Sequence, residues 1–226
     1  MCGRFTQSSS LDEIAAALEV AKMVADKSRP RYNIAPTQDV AAVRETSGER
    51  EMRVLKWGLV PAWAKDVEIG SRLINARAET VTEKPSFREA FKRRRCLIPS
   101  DGFYEWKREG TRKQPYYFQM KDERPFAFAG LWERWEGKGQ MVIESCTILT
   151  TAANEVLAPV HDRMPVIIAP ENYEPWLDMR QSATDQLLPL LRPYPAAEMT
   201  SFPVSVAVNN PRSEGAELIA PFINSQ

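Results

Sequence analysis

The sequence predicts an α+β fold with a largely antiparallel, barrel-like β core and a few flanking helices. From residue 95 onward, short apolar and aromatic runs alternate with turn residues, which is typical of consecutive strands. Seventeen prolines are scattered along the chain, as expected where many short strands must be connected. Helical patterns are few, and no break in composition divides the chain. We therefore expect a single domain over residues 1–226.

The N-terminal part of the chain predicts one helix followed by a pair of strands. Ser10 and Glu13 have the spacing of a capping box, so a short amphipathic helix should begin there. Residues 40–44 and 52–57 read as strands joined by a turn at residues 47–48. A further helix is expected near residue 87, with Pro85 in its first turn.

The remainder of the chain predicts strands and two closing helices. Turns are expected at the Glu109-Gly110 and Asp122-Glu123 pairs. Helices are expected near residues 171–179 and 183–191. The predicted strands cover residues 95–98, 103–107, 116–120, 126–132, 142–150 and 164–168.

Composition describes an ordinary globular protein, with 43% hydrophobic and 27% charged residues. The sequence has no apolar run long enough for a membrane helix and no signal-peptide pattern, so we expect no membrane partner. A cytoplasmic location is expected, with nucleoid association if the source is bacterial. The formal net charge is zero, which argues against a dedicated nucleic-acid binder.

Basic residues are nevertheless concentrated in one part of the chain. Residues 86–115 contain nine basic and four acidic residues, and the run Lys92–Arg95 lies among them. Such a run is usually a solvated face. It can also be a surface that binds phosphate, and the sequence leaves both interpretations open.

Cysteine and histidine usage narrows the chemistry. The three cysteines, Cys2, Cys96 and Cys146, form no close pair, and His161 is the single histidine. Neither a disulfide framework nor a multi-histidine metal site is indicated, so we expect no metal and no cofactor. Cys96 and Cys146 lie in apolar strand patterns, which predicts buried structural thiols.

Cys2 is the most reactive candidate. Removal of the initiator Met1, normal ahead of a small residue, would make Cys2 the N-terminus and give it an amine and a thiol on adjacent carbons. An α-amine has a pKa of about 7.7–8.0, so about a quarter of it is neutral at physiological pH. A neutral amine forms an imine with an aldehyde, and the thiol can then close a thiazolidine ring. The pair can also act as an N-terminal nucleophile with its own amine as base.

Four segments together carry a resemblance to a known family. They are residues 2–5 (CGRF), 74–79 (INARAE), 101–106 (DGFYEW) and 161–165 (HDRMP), and they occur in the same order over nearly the whole chain. Residues 33–36 (NIAP), 57–58 (WG) and 215–219 (GAELI) also fit. The sequence thereby resembles the SOS-response-associated peptidase (SRAP) family, whose members crosslink to abasic sites in single-stranded DNA. The family's pseudo-barrel of strands agrees with the fold predicted above.

The resemblance implies an active site of Cys2, Asn75, Glu105 and His161. Cys2 would trap the aldehyde of a ring-opened abasic sugar. A buried Glu105 would have a raised pKa and could shuttle protons, although strand alternation more often points such a residue at solvent. Histidine is the side chain type whose unperturbed pKa lies near neutrality, so His161 could assist ring opening. The amide of Asn75 could hydrogen-bond both a sugar oxygen and the Cys2 amine.

The DNA contacts follow in the same way. Guanidinium groups match phosphate oxygens, Pro36 would act as a wedge beside the lesion, and Trp63 would stack on a base. Trp57 and Trp106 are assigned to packing. Ala64 departs from the family pattern, in which a second aromatic follows the Trp63 position. The predicted DNA-contacting residues are Arg4, Pro36, Trp63, Arg77, Thr150 and Arg163.

The expected function is therefore processing of abasic sites in single-stranded DNA by a monomer, through a covalent thiazolidine crosslink in the DNA damage response. A slow lyase activity is a secondary expectation. The main alternative is an N-terminal-nucleophile cysteine peptidase or amidase, in which Cys2 is activated by His161 and oriented by Asn75. Its mildest form would be removal of a leader residue by self-cleavage. A noncatalytic nucleic-acid-binding module and a redox switch through Cys2 and Cys96 are the remaining alternatives.

Overall fold

A computed structural model describes residues 2–24, 29–180 and 184–222. Within these ranges there are three short α-helices: α1 (Leu11–Ala17), α2 (Arg88–Arg93) and α3 (Tyr173–Leu177). The strands are β1 (Phe5–Gln7), β2 (Lys22–Met23), β3 (Arg31–Ile34), β4 (Asp39–Thr46), β5 (Glu49–Trp57), β6 (Asn75–Arg77), β7 (Arg95–Ser100), β8 (Gly102–Glu109), β9 (Arg112–Met120), β10 (Phe126–Glu136), β11 (Val142–Ala152), β12 (Arg163–Pro165), β13 (Ile167–Ile168) and β14 (Met199–Pro203).

The strands form two sheets. One has five strands in the order β14-β9-β8-β1-β3, and all of its pairs are antiparallel. The other runs β12-β11-β10-β7-β4-β5-β2, with β13 beside β10 and β6 beside β11. Strand β5 also pairs with β11, which closes β11, β10, β7, β4 and β5 into a ring. The predicted α+β class with a barrel-like, largely antiparallel core is confirmed.

Both faces of β7 and of the first six residues of β10 are buried, which explains why residues 96–98 and 126–131 are almost continuously apolar. In β10, Ala127, Ala129 and Leu131 face the cluster that includes residues of α1, α2 and α3. The alternate residues Phe126 and Phe128 face a second cluster, shared with aromatic residues of the five-stranded sheet. Because successive side chains of a strand point to opposite faces, alternate residues of β10 contribute to two different hydrophobic layers. The second layer also contains Cys2.

The predicted N-terminal elements are confirmed with small shifts. The Ser10 side chain accepts a hydrogen bond from the Glu13 amide, and the Glu13 side chain accepts from the Ser10 backbone, so the capping box is present. The turn between β4 and β5 lies at Ser47 and Gly48, both with positive φ, as a two-residue hairpin requires. Pro85 precedes α2 instead of occupying its first turn, because the helix begins at Arg88.

The C-terminal predictions need more correction. The helix expected over 171–179 is a 3₁₀ turn at Pro170–Asn172 followed by α3. The helix expected over 183–191 is wrong: its described part consists of 3₁₀ turns at Thr184–Gln186 and Leu188–Leu190, and residue 183 lies outside the described residues. Pro189, inside the second turn, has no amide hydrogen and clashes with a continuing α-helix.

The single strand predicted over 164–168 is two strands. Strand β12 pairs with β11, and β13 pairs with β10. Between them the Val166 amide donates to the Leu149 carbonyl, and the Val166 carbonyl accepts from Ala129. The chain thus crosses from one barrel strand to its neighbour at Val166.

The basic run of residues 92–95 is largely structural, which argues against a free phosphate surface there. Arg95 is fully buried, and its guanidinium donates to the carbonyls of Trp176, Phe91, Lys92 and Asp178. Burial lowers the pKa of Arg95 to about 10. Arg94 forms a close ion pair with buried Glu133. Of the remaining two, Lys92 lies 3.9 Å from Glu89, and Arg93 is exposed.

In the described part of the chain, no helix combines the length and the apolar character that crossing a membrane would require.

The Arg95 contacts predict a large and local effect on stability. Arg95→Ala should lower the free energy of unfolding by more than about 3 kcal/mol, because it leaves buried carbonyls without donors. Arg93→Ala removes the same charge from an exposed position two residues away, and its effect should stay within about 0.5 kcal/mol. Urea unfolding of both variants measures the difference. Equal losses would contradict a structural role for Arg95.

Candidate active site

The N-terminal segment is held against β8. Strand β1 pairs antiparallel with β8, with Phe5 opposite Phe103. The Tyr104 amide donates to the Arg4 carbonyl at 3.0 Å, which continues the register toward the N-terminus. This pairing brings Glu105 alongside the segment that carries Cys2.

Cys2 is fully buried in the layer between the two sheets. Burial raises the pKa of the Cys2 thiol, and the neighbouring Glu105 carboxylate raises it further. In this environment the sulfur stays protonated unless a base removes its proton. A nucleophilic role for the thiol therefore requires a partner that accepts a proton.

Asn75 contacts Cys2 from the opposite sheet. It opens β6, which runs parallel to β11 with Asn75 beside Ile148. Its Nδ2 donates to the Cys2 carbonyl at 2.8 Å. Its Oδ1 is buried and has no hydrogen-bond partner among the described residues. A buried acceptor without a donor costs free energy, so Oδ1 is a vacant acceptor next to Cys2.

Glu105 lies on β8 with only 3% of its surface exposed, so a solvent-facing orientation is wrong. Burial raises the pKa of its carboxyl, and the charge of His161 acts in the opposite direction. Glu105 and His161 line one cavity of about 420 Å³. The other lining residues are Trp106, Arg108, Lys113 and Asn209.

His161 is on the loop that follows β11, anchored by its amide to the Leu157 carbonyl at 3.0 Å. Its Nδ1 accepts a hydrogen bond from the Arg163 amide at 3.0 Å, which assigns the proton of the neutral ring to Nε2. Asp162 Oδ1 is also 3.0 Å from Nδ1 and can accept from it when the ring is protonated. Both protonation states thus have a partner at Nδ1.

The fold therefore assembles residues that are far apart in the sequence. Asn75 hydrogen-bonds to Cys2, the charge of Glu105 acts on Cys2, and Glu105 and His161 share a cavity. The arrangement places the buried thiol of Cys2 near two groups: the amide oxygen of Asn75, which can accept a hydrogen bond, and the carboxyl of Glu105, whose pKa is raised. Such a set can move protons during addition to a carbonyl carbon.

Arg4 is half-buried and already engaged. Its guanidinium donates to Asn33 Oδ1 at 2.6 Å and to the Val208 carbonyl at 2.7 Å. It also lies 5.9 Å from the centre of the Trp106 ring. Burial lowers the pKa of Arg4. Its contacts tie β3 and the segment around residue 208 to the N-terminal segment, and Asn33 was not singled out from the sequence as a partner.

Arg163 and Thr150 form a second engaged group. Arg163 makes a bidentate pair with Glu79, at 2.5 and 3.0 Å, and donates to the Thr150 carbonyl at 2.6 Å. Thr150 is fully buried, so it positions Arg163 and offers no surface to DNA. Arg77, by contrast, is exposed and makes no described hydrogen bond or ion pair. Of the arginines predicted to bind phosphate, Arg77 is thus the one free to do so.

Trp63 is held at the surface with 59% of its area exposed. The loop beneath it is fixed by two contacts from β10. Glu133 accepts from the Ala62 amide at 3.1 Å, and the Trp135 indole donates to the Ala64 carbonyl at 2.8 Å. Ala64 is buried in this contact, which explains a small residue where the family pattern has an aromatic.

The remaining residues discussed from the sequence are one proline and two tryptophans. Pro36 is half-buried and precedes Thr37, whose φ is positive and whose amide donates to the Trp57 carbonyl. Trp57 is a core residue, as predicted. Trp106 packs against the cluster that includes Tyr104 and Tyr117, as predicted, and it also lines the cavity with Glu105.

The other two cysteines are buried thiols, as predicted, and burial raises the pKa of each. Cys2, Cys96 and Cys146 are all free. Among the described residues, no group of three or more histidine, cysteine and acidic side chains is arranged to hold a metal ion.

Comparison with known proteins identifies the family. The sequence profile of "SOS response associated peptidase (SRAP)" matches residues 1–211. The chain is 43% identical to abasic site processing protein YoaM of Bacillus subtilis over 221 residues, which cover 97% of both chains. It is 32% identical to abasic site processing protein YedK of Escherichia coli over 228 residues, covering 98% of this chain and 100% of that protein.

The fold is also similar to that of a solved structure. A crystal structure of a protein from Bacteroides thetaiotaomicron superposes with a TM-score of 0.88 at 28% identity, covering 98% of this chain and 100% of the other. The profile match extends over both sheets and over every residue that surrounds the cavity. The chain belongs to the SOS response associated peptidase family.

Proposed function

We propose that this protein processes abasic sites in single-stranded DNA by covalent capture of the lesion at Cys2. The observation that carries the proposal is the contact set around Cys2: an amide donor from Asn75, a vacant acceptor on the same amide, and a buried carboxyl. The names of the relatives YoaM and YedK support the substrate class. The proposal requires removal of Met1, which lies outside the described residues.

The reaction is a condensation that releases one water. The neutral α-amine of Cys2 adds to the aldehyde carbon of the ring-opened sugar, and the carbonyl oxygen leaves as water to give an imine. The thiol then adds across the C=N bond: sulfur bonds to carbon, and its proton goes to nitrogen. The product is a thiazolidine that joins the protein to the DNA.

Glu105 supplies the proton transfers that these steps need. Burial raises the pKa of the Glu105 carboxyl, so this group holds a proton more readily than an exposed glutamate and can donate it to the departing oxygen. As a carboxylate it accepts the proton of the buried Cys2 thiol. His161, with its proton on Nε2, shares the cavity and exchanges protons with the opening sugar ring.

Asn75 aligns the nucleophile. Its Nδ2 holds the Cys2 carbonyl, so the Cα of Cys2 and the amine bonded to it stay close to the amide. The vacant Oδ1 accepts a hydrogen from that amine, which leaves the nitrogen lone pair pointing away from the amide. The damaged strand is held by the exposed Arg77 and by stacking on Trp63.

The same imine opens a slower route. Loss of a proton from the carbon next to the imine allows β-elimination of the phosphate and cleavage of the strand, which is a lyase activity. In the cell the crosslink would shield the lesion during the response to DNA damage. The alternative of a cysteine peptidase predicts repeated turnover of an amide substrate, whereas capture gives one adduct per protein.

Incubation of the intact protein with abasic single-stranded DNA should give one denaturation-resistant adduct. Mass spectrometry should show loss of Met1 and a gain equal to the DNA strand minus one water. Cys2→Ala and a variant that retains an extra residue before Cys2 should both lose the thiazolidine. Cys96→Ala removes a buried thiol from the same layer and should retain adduct formation. Turnover of peptides without any adduct would overturn the proposal in favour of the peptidase.

Glu105→Gln should separate activity from stability. Without its proton shuttle, adduct formation should slow by about 10²-fold or more. The pKa of Glu105 is higher in the folded protein than its unfolded value of about 4.3. Wild-type stability therefore falls as the pH rises from about 4.3 through the pKa of the folded state. Glutamine does not titrate. The variant should therefore melt higher than wild type at pH 7–8, and the advantage should vanish near pH 4.

Glu49→Gln is the matched control, since Glu49 is an exposed strand residue that has no described ion pair and does not line the cavity. It should change neither the adduct rate nor the pH dependence of melting. Thermal melts across pH and single-turnover adduct rates measure both quantities. A Glu105→Gln protein that reacts at the wild-type rate would remove Glu105 from the mechanism.

A further inference from the structure

The hairpin that joins β8 and β9 carries an unusual concentration of positive charge. Its register places Lys107 opposite Gln114, Arg108 opposite Lys113, and Glu109 opposite Arg112. We call residues 107–113 the basic hairpin. It holds four basic residues and one acidic residue.

Within the basic hairpin, the Arg108–Lys113 pair has no compensating charge. Both side chains are exposed, and neither has an ion-pair or hydrogen-bond partner among the described residues. The single carboxylate of the hairpin, Glu109, lies 3.3 Å from Lys107 and is opposite Arg112 in the register. Like charges directly opposite each other destabilise an antiparallel pair. The described contacts therefore show no contribution of the Arg108–Lys113 pair to the stability of the fold.

The Arg108–Lys113 pair lies at the cavity of the candidate active site. Arg108 and Lys113 line the same 420 Å³ cavity as Glu105 and His161. Trp106, two residues before Arg108 on the same strand, also lines this cavity, and its indole donates to Asn209 at 2.7 Å. A substrate anion that reaches Glu105 and His161 would therefore pass within reach of two unpaired cations.

Other basic groups near the site are not available in the same way. Arg4 donates to Asn33 and a backbone carbonyl, and Arg163 is paired with Glu79. In the basic run of residues 92–95, Arg94 is ion-paired with Glu133 and Arg95 is buried. The unpaired charge in residues 86–115 that faces the cavity is thus on the basic hairpin.

We propose that the basic hairpin is a backbone-phosphate clamp for single-stranded DNA, with Arg108 and Lys113 each contacting one phosphate next to the lesion. The proposal rests on the function proposed above, because it takes DNA as the anion. It adds a contact on the five-stranded sheet to Arg77, which lies on β6 of the other sheet. The damaged strand is then held from both sheets while its sugar enters the cavity.

The test is the salt dependence of binding to an intact, lesion-free single-stranded oligonucleotide. Each phosphate contact contributes about 0.7 to the slope of log K against log salt concentration for single strands. The double variant Arg108→Gln/Lys113→Gln should therefore reduce the magnitude of the slope by about 1.4. Fluorescence anisotropy across a salt series measures it. An unchanged slope would overturn the proposal.

Lys121→Gln/Lys138→Gln is the matched control. Both residues are exposed, neither forms a described ion pair, and neither lines the cavity that holds Glu105. The control removes the same net charge and should leave the slope within about a quarter of a single contact. A loss equal to that of the hairpin variant would mean that net charge alone acts, and would also overturn the clamp.

Adduct formation distinguishes this proposal from the chemistry on which it depends. At limiting abasic DNA, the hairpin variant should form adduct more slowly than wild type, whereas the Lys121→Gln/Lys138→Gln control should form it at the wild-type rate. Cys2→Ala should keep the wild-type salt slope and form no adduct. If wild type itself forms no adduct while the hairpin variant still loses slope, the clamp stands and the capture chemistry fails.

Discussion

The antiparallel pairing of β1 with β8 is the constraint on which the site depends. It fixes the N-terminal segment beside Glu105, although the two are about a hundred positions apart in the sequence. The Phe5 ring anchors this pairing through edge contacts with Trp57 and Phe128, both of the barrel sheet. A reactive terminus would otherwise fray. Here its position is set by the same layer that forms the core.

The site has an energetic cost that the rest of the fold must offset. A buried carboxyl and an amide oxygen without a described donor each reduce stability. Well-packed apolar layers on both faces of the barrel strands compensate for them. Strained or unsatisfied groups of this kind concentrate at functional sites, where they serve binding or chemistry.

The sequence predicted the strand-rich class and most strands because their patterns are local. The capping box at Ser10 and the Ser47-Gly48 turn are examples, since each depends on neighbouring residues alone. The helix predicted over residues 183–191 is wrong because Pro189 has no amide hydrogen to continue an α-helix, whatever the apolar spacing around it. The engagement of Arg95 and Arg163 could not be predicted, because their partners come from distant segments. Family resemblance, not pattern, pointed to Glu105.

The barrel closes by a short parallel seam, in which β5 meets β11 over the pairs Lys56–Ser145 and Trp57–Cys146. Beside this seam the Trp57 indole donates to the Ile74 carbonyl at 2.9 Å, one residue before Asn75. Separation of β5 from β11 would therefore disturb β6, whose Asn75 hydrogen-bonds to the Cys2 carbonyl. The pairing of β5 with β11 therefore supports the position of Asn75, and through it the position of Cys2.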